Sequence, residues 1–191
     1  LEHARIAIEI RLNLFGEESL QMADSYDTLG LIYKNQGKFT EALDYYERSL
    51  IIREKLLGEG HPENTKNHNN IGFIYFKLGK YKEALAYYDR ALELKRKYFG
   101  DLHPDVAKSY GHIGIVFAEQ SNFKKAIECY KKCLKVQQKS LGMEHIDTAA
   151  TYNSMGNIYL KQGKYEDANK YYEAALKIRV KGLGKNHPDV A

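Results

Sequence analysis

The sequence predicts an all-α chain, a solenoid of antiparallel helix pairs. Three observations predict it. Gly16, Gly58, Gly100, Gly142 and Gly184 recur every 42 residues without a slip, and a fixed period of that size marks a repeat architecture. Inside each unit, apolar and small residues fall at helical spacing in two runs, parted in three of the four units by Gly-Lys-Phe or Gly-Lys-Tyr. The composition, 43% hydrophobic and 28% charged with only three prolines, is that of a folded chain rather than a disordered or membrane one.

Taken in order, residues 1–15 read as the end of a second helix, with Ala7 and Ile8 in the places of Ala91 and Leu92. Repeat 1, residues 16–57, carries Tyr26-x-x-Leu29-Gly30-x-x-Tyr33, then Gly37-Lys38-Phe39, Ala42-x-x-x-Tyr46 and Leu50. Repeat 2, residues 58–99, carries His68, Ile71-Gly72, Tyr75, Gly79-Lys80-Tyr81, Ala84 and Tyr88. Repeat 3, residues 100–141, carries Tyr110, Ile113-Gly114, Phe117, Phe123, Ala126 and Tyr130. Repeat 4, residues 142–183, carries Tyr152, Met155-Gly156, Tyr159, Gly163-Lys164-Tyr165, Ala168 and Tyr172. Residues 184–191 begin the first helix of a further repeat. Both ends fall inside the pattern without a polar capping repeat, so the chain reads as a segment of a longer solenoid.

Each unit is expected to be two helices. Pro62, Pro104 and Pro188 suit a first helical turn, because proline lacks an N–H that would be unpaired there. Gly79 ends the first helix of repeat 2 and Gly100 the second, since glycine accepts the left-handed conformation of a tight cap. Gly30, Gly72, Gly114 and Gly156 stand inside helices, where glycine costs about 1 kcal/mol relative to alanine. Their recurrence at one slot implies a steric demand.

These residues resemble the tetratricopeptide repeat, whose pattern is W-x₂-L-G-x₂-Y followed by A-x₃-F. The usual unit has about 34 residues; the 42-residue form with a Leu-Gly-x-x-His-Pro linker is similar to the repeats of kinesin light chains, nephrocystin-type proteins and many bacterial repeat proteins. The resemblance implies a right-handed superhelix whose first helices line a concave groove. In kinesin light chains that groove takes peptides with an aromatic anchor amid acidic residues. Asn69 and Asn153 match that family's asparagine slot, while Asp27 and Gly111 depart from it. The carboxylate clamp of chaperone-type repeats is absent from the corresponding slots, which hold Asp27, Leu31 and Lys34 or Asn69, Phe73 and Phe76.

At about 100° per residue, Tyr26, Leu29, Gly30 and Tyr33 share one side of the first helix, whereas Asp24, Asp27, Leu31 and Lys34 share another. That second face is the expected groove. Its candidate binding residues are Lys66, Asn69, Phe73, Phe76, Lys77, Lys108, Ile115, Asn153, Asn157, Leu160 and Lys161. Phe73, Phe76, Ile115 and Leu160 would form an apolar floor with a lysine rim, an arrangement that marks interaction sites. The asparagines would bond a peptide backbone. The alternative, in which Phe73 and Phe76 pack against a neighbouring repeat, stays open; under the groove reading, replacing both by alanine leaves the fold intact.

Other chemistry is set aside. His61, His103, His145 and His187 recur once per repeat, too far apart to share bonds of about 2 Å to one metal, and read as linker or cap residues. Cys129 and Cys133 stand four apart on one helix and are poorly placed to bridge; Cys133 takes a small core slot and Cys129 a groove-wall slot. No nucleotide-binding, zinc-protease or nucleophile-elbow motif occurs, so no cofactor or metal is expected and the chain reads as a non-enzyme. The net charge is +4, and the charges read as alternating in sign, without a basic block, which argues against nucleic acid. No apolar run approaches the roughly 18 residues of a membrane span, and no secretory signal is visible. The expectation is a cytoplasmic adaptor that binds acidic peptides bearing an aromatic or aliphatic anchor. The alternative is a structural spacer whose open ends self-associate.

Overall fold

The structure, a computed structural model, describes residues 2–184 and 187–188. The described residues form helices α1 (Glu2–Phe15), α2 (Leu20–Asn35), α3 (Phe39–Leu57), α4 (Asn64–Lys77), α5 (Tyr81–Phe99), α6 (Pro104–Glu119), α7 (Phe123–Ser140), α8 (Ile146–Lys161) and α9 (Tyr165–Leu183), with no strand among them. The chain divides into two compact units, Leu1–Leu94 and Lys95–Ala191. Of the further repeat expected over 184–191, residues 185, 186 and 189–191 lie outside the described residues.

The recurrent glycine slot has a direct physical cause. A Cβ on Gly30 would sit 2.8 Å from the Tyr46 ring, and one on Gly114 or Gly156 would sit 2.8 or 2.6 Å from Tyr130 or Tyr172. At Gly72 the distance to Tyr88 is 3.0 Å. Each first helix therefore lacks a side chain where the tyrosine of its partner helix must lie flat against its backbone. The recurrent alanines of the second helices, Ala42, Ala84, Ala126 and Ala168, are buried as well. Stacked tyrosines join the same pairs: Tyr33 on Tyr45 at 5.4 Å, Tyr75 on Tyr87 at 5.5 Å, and Tyr159 on Tyr171 at 5.2 Å between ring centroids. Cys129 takes that tyrosine's place in α7, and the Lys125 ammonium lies 5.2 Å over the facing Phe117 ring.

In the first unit, the core gathers Ala42, Tyr46 and Leu50 of α3 with Ile71 and Ile74 of α4. Met22, Ala23 and Tyr26 of α2 meet Ile52 in a second cluster. In the second unit, Ala126, Tyr130 and Leu134 of α7 pack on Met155 and Ile158 of α8. A tyrosine on a second helix thus closes its own pair on one side and touches the next first helix on the other.

The helix ends follow from the linkers. His103 and His145 are N-caps whose Nδ1 atoms accept the backbone N–H of Asp105 and Asp147 at 3.2 Å. This gives a cap role to two of the recurrent histidines. Pro104 opens α6 as expected, but α4 starts at Asn64, two residues after Pro62. There the buried Asn64 side chain donates back to the Gly58 and Glu59 carbonyls, holding the linker as a turn. The pair-splitting turns use Gly37, Gly79 and Gly163 at φ near +73°. Ser121 takes the same left-handed conformation in α6–α7, a conformation that costs a residue with a Cβ about 1–2 kcal/mol.

Candidate functional site

In the first unit, Asp24, Asp27, Thr28, Leu31 and Lys34 of α2, Tyr46 of α3, and Lys66 and Asn70 of α4 line a cavity of about 410 Å³. Leu31, 46% exposed, is its apolar element. Lys34 and Lys66 form no ion pair among the described residues. Burial, and then the charge of Lys66, hold the Lys34 pKa below its ordinary value. Two ammonium groups thus face one cavity without a counter-ion.

The carboxylates of that cavity are already engaged. Asp27, expected on the open face, is only 6% exposed. It accepts from Arg53 at 3.2 Å and from Asn67 at 2.7 Å. Arg53 also reaches Asp24 at 2.5 Å and Glu63 at 2.8 Å. The network ties α2, α3 and the start of α4 together, so Asp27 serves structure and is unavailable to a ligand.

Phe73 is half-buried against the Tyr46–Ile71–Ile74 cluster, with the Lys34 and Lys77 ammonium groups 5.6 and 5.4 Å from its ring centroid. Phe76 is also half-buried, 6.0 Å from the Tyr81 ring. Because Phe73 takes part in core packing, truncating it is expected to lower stability as well as alter the surface. Asn69 donates its side-chain N–H to the Thr65 carbonyl of its own helix at 2.8 Å.

In the second unit, Ile115, Ala118 and Glu119 of α6, Tyr130 of α7, and Ser154, Asn157, Ile158, Leu160 and Lys161 of α8 line a cavity of about 300 Å³. Ile115 and Leu160 are 40% and 47% exposed. Lys161 lies 3.9 Å from Glu119 at the rim. Asn157 accepts a hydrogen bond from the Tyr172 hydroxyl at 2.7 Å. A smaller adjoining hollow of about 220 Å³ is lined by residues that include Lys108, Gly111, His112, Ile115, Thr151 and Ser154; Lys108 pairs with Asp105 at 3.1 Å. The half-buried Asn153 lines neither.

One regularity escaped sequence reasoning. Thr28, Asn70, His112 and Ser154 share one slot and all line these cavities; of the preceding slot, Asp27 and Gly111 line them too, whereas Asn69 and Asn153 do not. The signal was present: Lys66, Asn70, Phe73 and Lys77 stand at i, i+4, i+7 and i+11, one helical face.

Cys133 is buried with its thiol pKa raised by that burial, and its Sγ lies 3.5 Å from the Thr151 hydroxyl. Among the described residues, no group of three or more His, Cys, Asp or Glu side chains is arranged to hold a metal ion. No described helix is long and apolar enough to cross a membrane.

Family models for the tetratricopeptide repeat match residues 22–63, 63–139, 109–181 and 147–191. No curated protein sequence matches significantly. Among solved structures, BtubC (BKLC) from P. vanneervenii is similar at TM-score 0.78 and 24% identity, over 88% of this chain and 66% of BtubC. The nearly identical TPR-like repeats of a Podosopora anserina protein named for kinesin light chain give TM-score 0.80 and 20% identity, over 95% of this chain and 86% of that one. The apo form of RapI gives 0.79 and 22%, over 95% of this chain and 64% of RapI. This chain therefore spans just under two thirds of BtubC and of RapI. With its repeats matched from residue 22 to the end and its fold shared with kinesin-light-chain-like structures, the chain belongs to the tetratricopeptide repeat family.

Proposed function

We propose that this chain is a cytoplasmic adaptor that captures short peptide segments on its first helices, as in kinesin-light-chain-like cargo recognition. The observation that carries the proposal is the pairing of exposed Ile115 and Leu160 over a cavity of about 300 Å³ with a charged rim. An apolar floor of this kind, bordered by polar groups, is what an aliphatic or aromatic peptide anchor would cover. In the first unit, Lys34 and Lys66, which form no ion pair among the described residues, favour acidic peptide residues at the cavity they line. Such rim charges act mainly on association rate and specificity.

The test is capture of a displayed peptide library by the whole chain, beside the double variant Ile115→Ser with Leu160→Ser. Both side chains are exposed, so the variant should keep its helical circular dichroism and melting temperature. Enriched peptides are expected to carry one large apolar residue among acidic ones. Their affinity should fall about tenfold or more in the variant, as expected for losing two buried aliphatic contacts. Equal capture by both proteins removes the groove assignment.

A second reading, a self-associating spacer, draws on α1, where Ile6, Ile10 and Leu14 expose one apolar face beside Phe15. It predicts a mass in sedimentation that rises with concentration and returns to the monomer in Ile10→Lys. A constant mass sinks it.

A further inference from the structure

Helix α7 carries Lys124, Lys125, Lys131, Lys132, Lys135 and Lys139 against the single acid Glu128. The other second helices are near balance: α3 has three basic and four acidic residues, α5 five and three, α9 four and three. The excess on α7 alone exceeds the net charge of the whole chain, +4. This corrects the reading of the charges as evenly alternating.

Helix geometry turns that composition into a surface. At about 100° per residue the six lysines fall within an arc of about 120°, and from Lys124 to Lys139 the strip runs about 22 Å. All six are exposed. Tyr130, Cys133 and Gln137, which line the cavities of the second unit, lie about half a turn away on the opposite side. None of the six forms an ion pair among the described residues. By contrast Lys108 of α6 and Lys161 of α8, the helices packed against α7, are both paired. Lys125 and Lys132 lean over the Phe117 and Tyr110 rings of α6. Lys124, Lys131, Lys135 and Lys139 have no such cover.

The arrangement is unfavourable for the free helix. Lys131–Lys135 and Lys135–Lys139 are like-charge pairs at i, i+4. Lys124 and Lys125 sit in the first turn, where the helix dipole disfavours cations. The first turn of α7 has no acid, whereas α3, α5 and α9 begin with Glu41, Glu83, and Glu166 with Asp167. An anionic partner would relieve each of these repulsions.

We propose that the outer face of α7 docks an extended polypeptide segment rich in Asp and Glu, independently of the groove. The composition of the strip selects this partner. Its cations are all lysine, hydrated point charges, with none of the arginine whose planar fork suits phosphates, and the exposed Glu128 is the one carboxylate among them. It offers no exposed aromatic residue on which a base would stack. Its apolar residues face the core, so nothing is left to insert into a bilayer. Alternate side chains of an extended peptide lie about 6.6 Å apart, close to the roughly 6 Å between lysines one turn apart.

The experiment is fluorescence anisotropy of a labelled oligoglutamate of about ten residues, enough to span the strip, titrated with the whole chain. The comparison is the quadruple variant Lys124→Gln, Lys131→Gln, Lys135→Gln, Lys139→Gln, beside the Ile115→Ser, Leu160→Ser groove variant. Wild-type binding should weaken with salt, fall about tenfold in the lysine variant, and persist in the groove variant. Absent binding, binding unchanged in the lysine variant, or binding lost in the groove variant overturns the proposal. Tighter binding of single-stranded DNA or phosphatidylserine vesicles through the same lysines overturns it too, by assigning the strip to another partner.

Discussion

Arg53→Ala is expected to cost about 3–5 kcal/mol of folding stability, the loss typical of one partner removed from a buried ion pair. Asp27 would be left 6% exposed with only the Asn67 N–H, at 2.7 Å, to meet its charge. Asp24 and Glu63 also lose a partner, but both are more than half exposed and contribute little through screened surface attraction. The measurement is the urea midpoint with its slope held constant. The double variant Arg53→Met with Asp27→Asn should recover most of the loss, because the uncompensated charge is gone and Asn67 keeps an acceptor. If the single variant loses under about 1 kcal/mol, the network is ornamental and Asp27 becomes available to the groove.

Tyr46→Ala is expected to cost a further class-leading amount for a core truncation, about 3–5 kcal/mol. Tyr46 is 1% exposed and lies between the backbone of α2 at Gly30 and the Ile71–Ile74 side of α4. Its removal opens a void shared by two helix pairs. The sharper test is the cycle with Gly30→Ala. In the wild type a Cβ would stand 2.8 Å from the ring, and overpacking of about 1–3 kcal/mol opposes the roughly 1 kcal/mol that alanine gains in a helix. In the Tyr46→Ala background the clash is gone, so Gly30→Ala should become stabilising. Thermal melts of the four proteins read the coupling. Additive effects would mean that the glycine slot owes its identity to something other than the tyrosine.

The cycle also shows what kind of information the sequence held. A glycine recurring where helix propensity opposes it announces a close approach, and Gly30, Gly72, Gly114 and Gly156 each meet a tyrosine ring. The same logic failed for Asp27 and Asn69. A first helix packs on its own partner and on neighbouring pairs, so its buried arc is wide and an error of one residue turns a side chain by about 100°. Asp27 fell inside that arc, and Asn70 rather than Asn69 faced the cavity. Phe73 is large and apolar, and composition could not say whether it would floor a groove or join the Tyr46 cluster; it is half-buried there.

The sequence by itself determined the all-α class, the helix pairing, the turns at Gly37, Gly79 and Gly163, and the slot where no Cβ fits, because each follows from local propensity and a 42-residue period. Only the tertiary structure decided which polar residues of the first helices line the cavities, which carboxylates are consumed by Arg53, and which lysines of α7 find no ion-pair partner among the described residues. Those outcomes depend on the phase of each helix against its neighbours and on distances between groups far apart in the chain, and neither is written in the period.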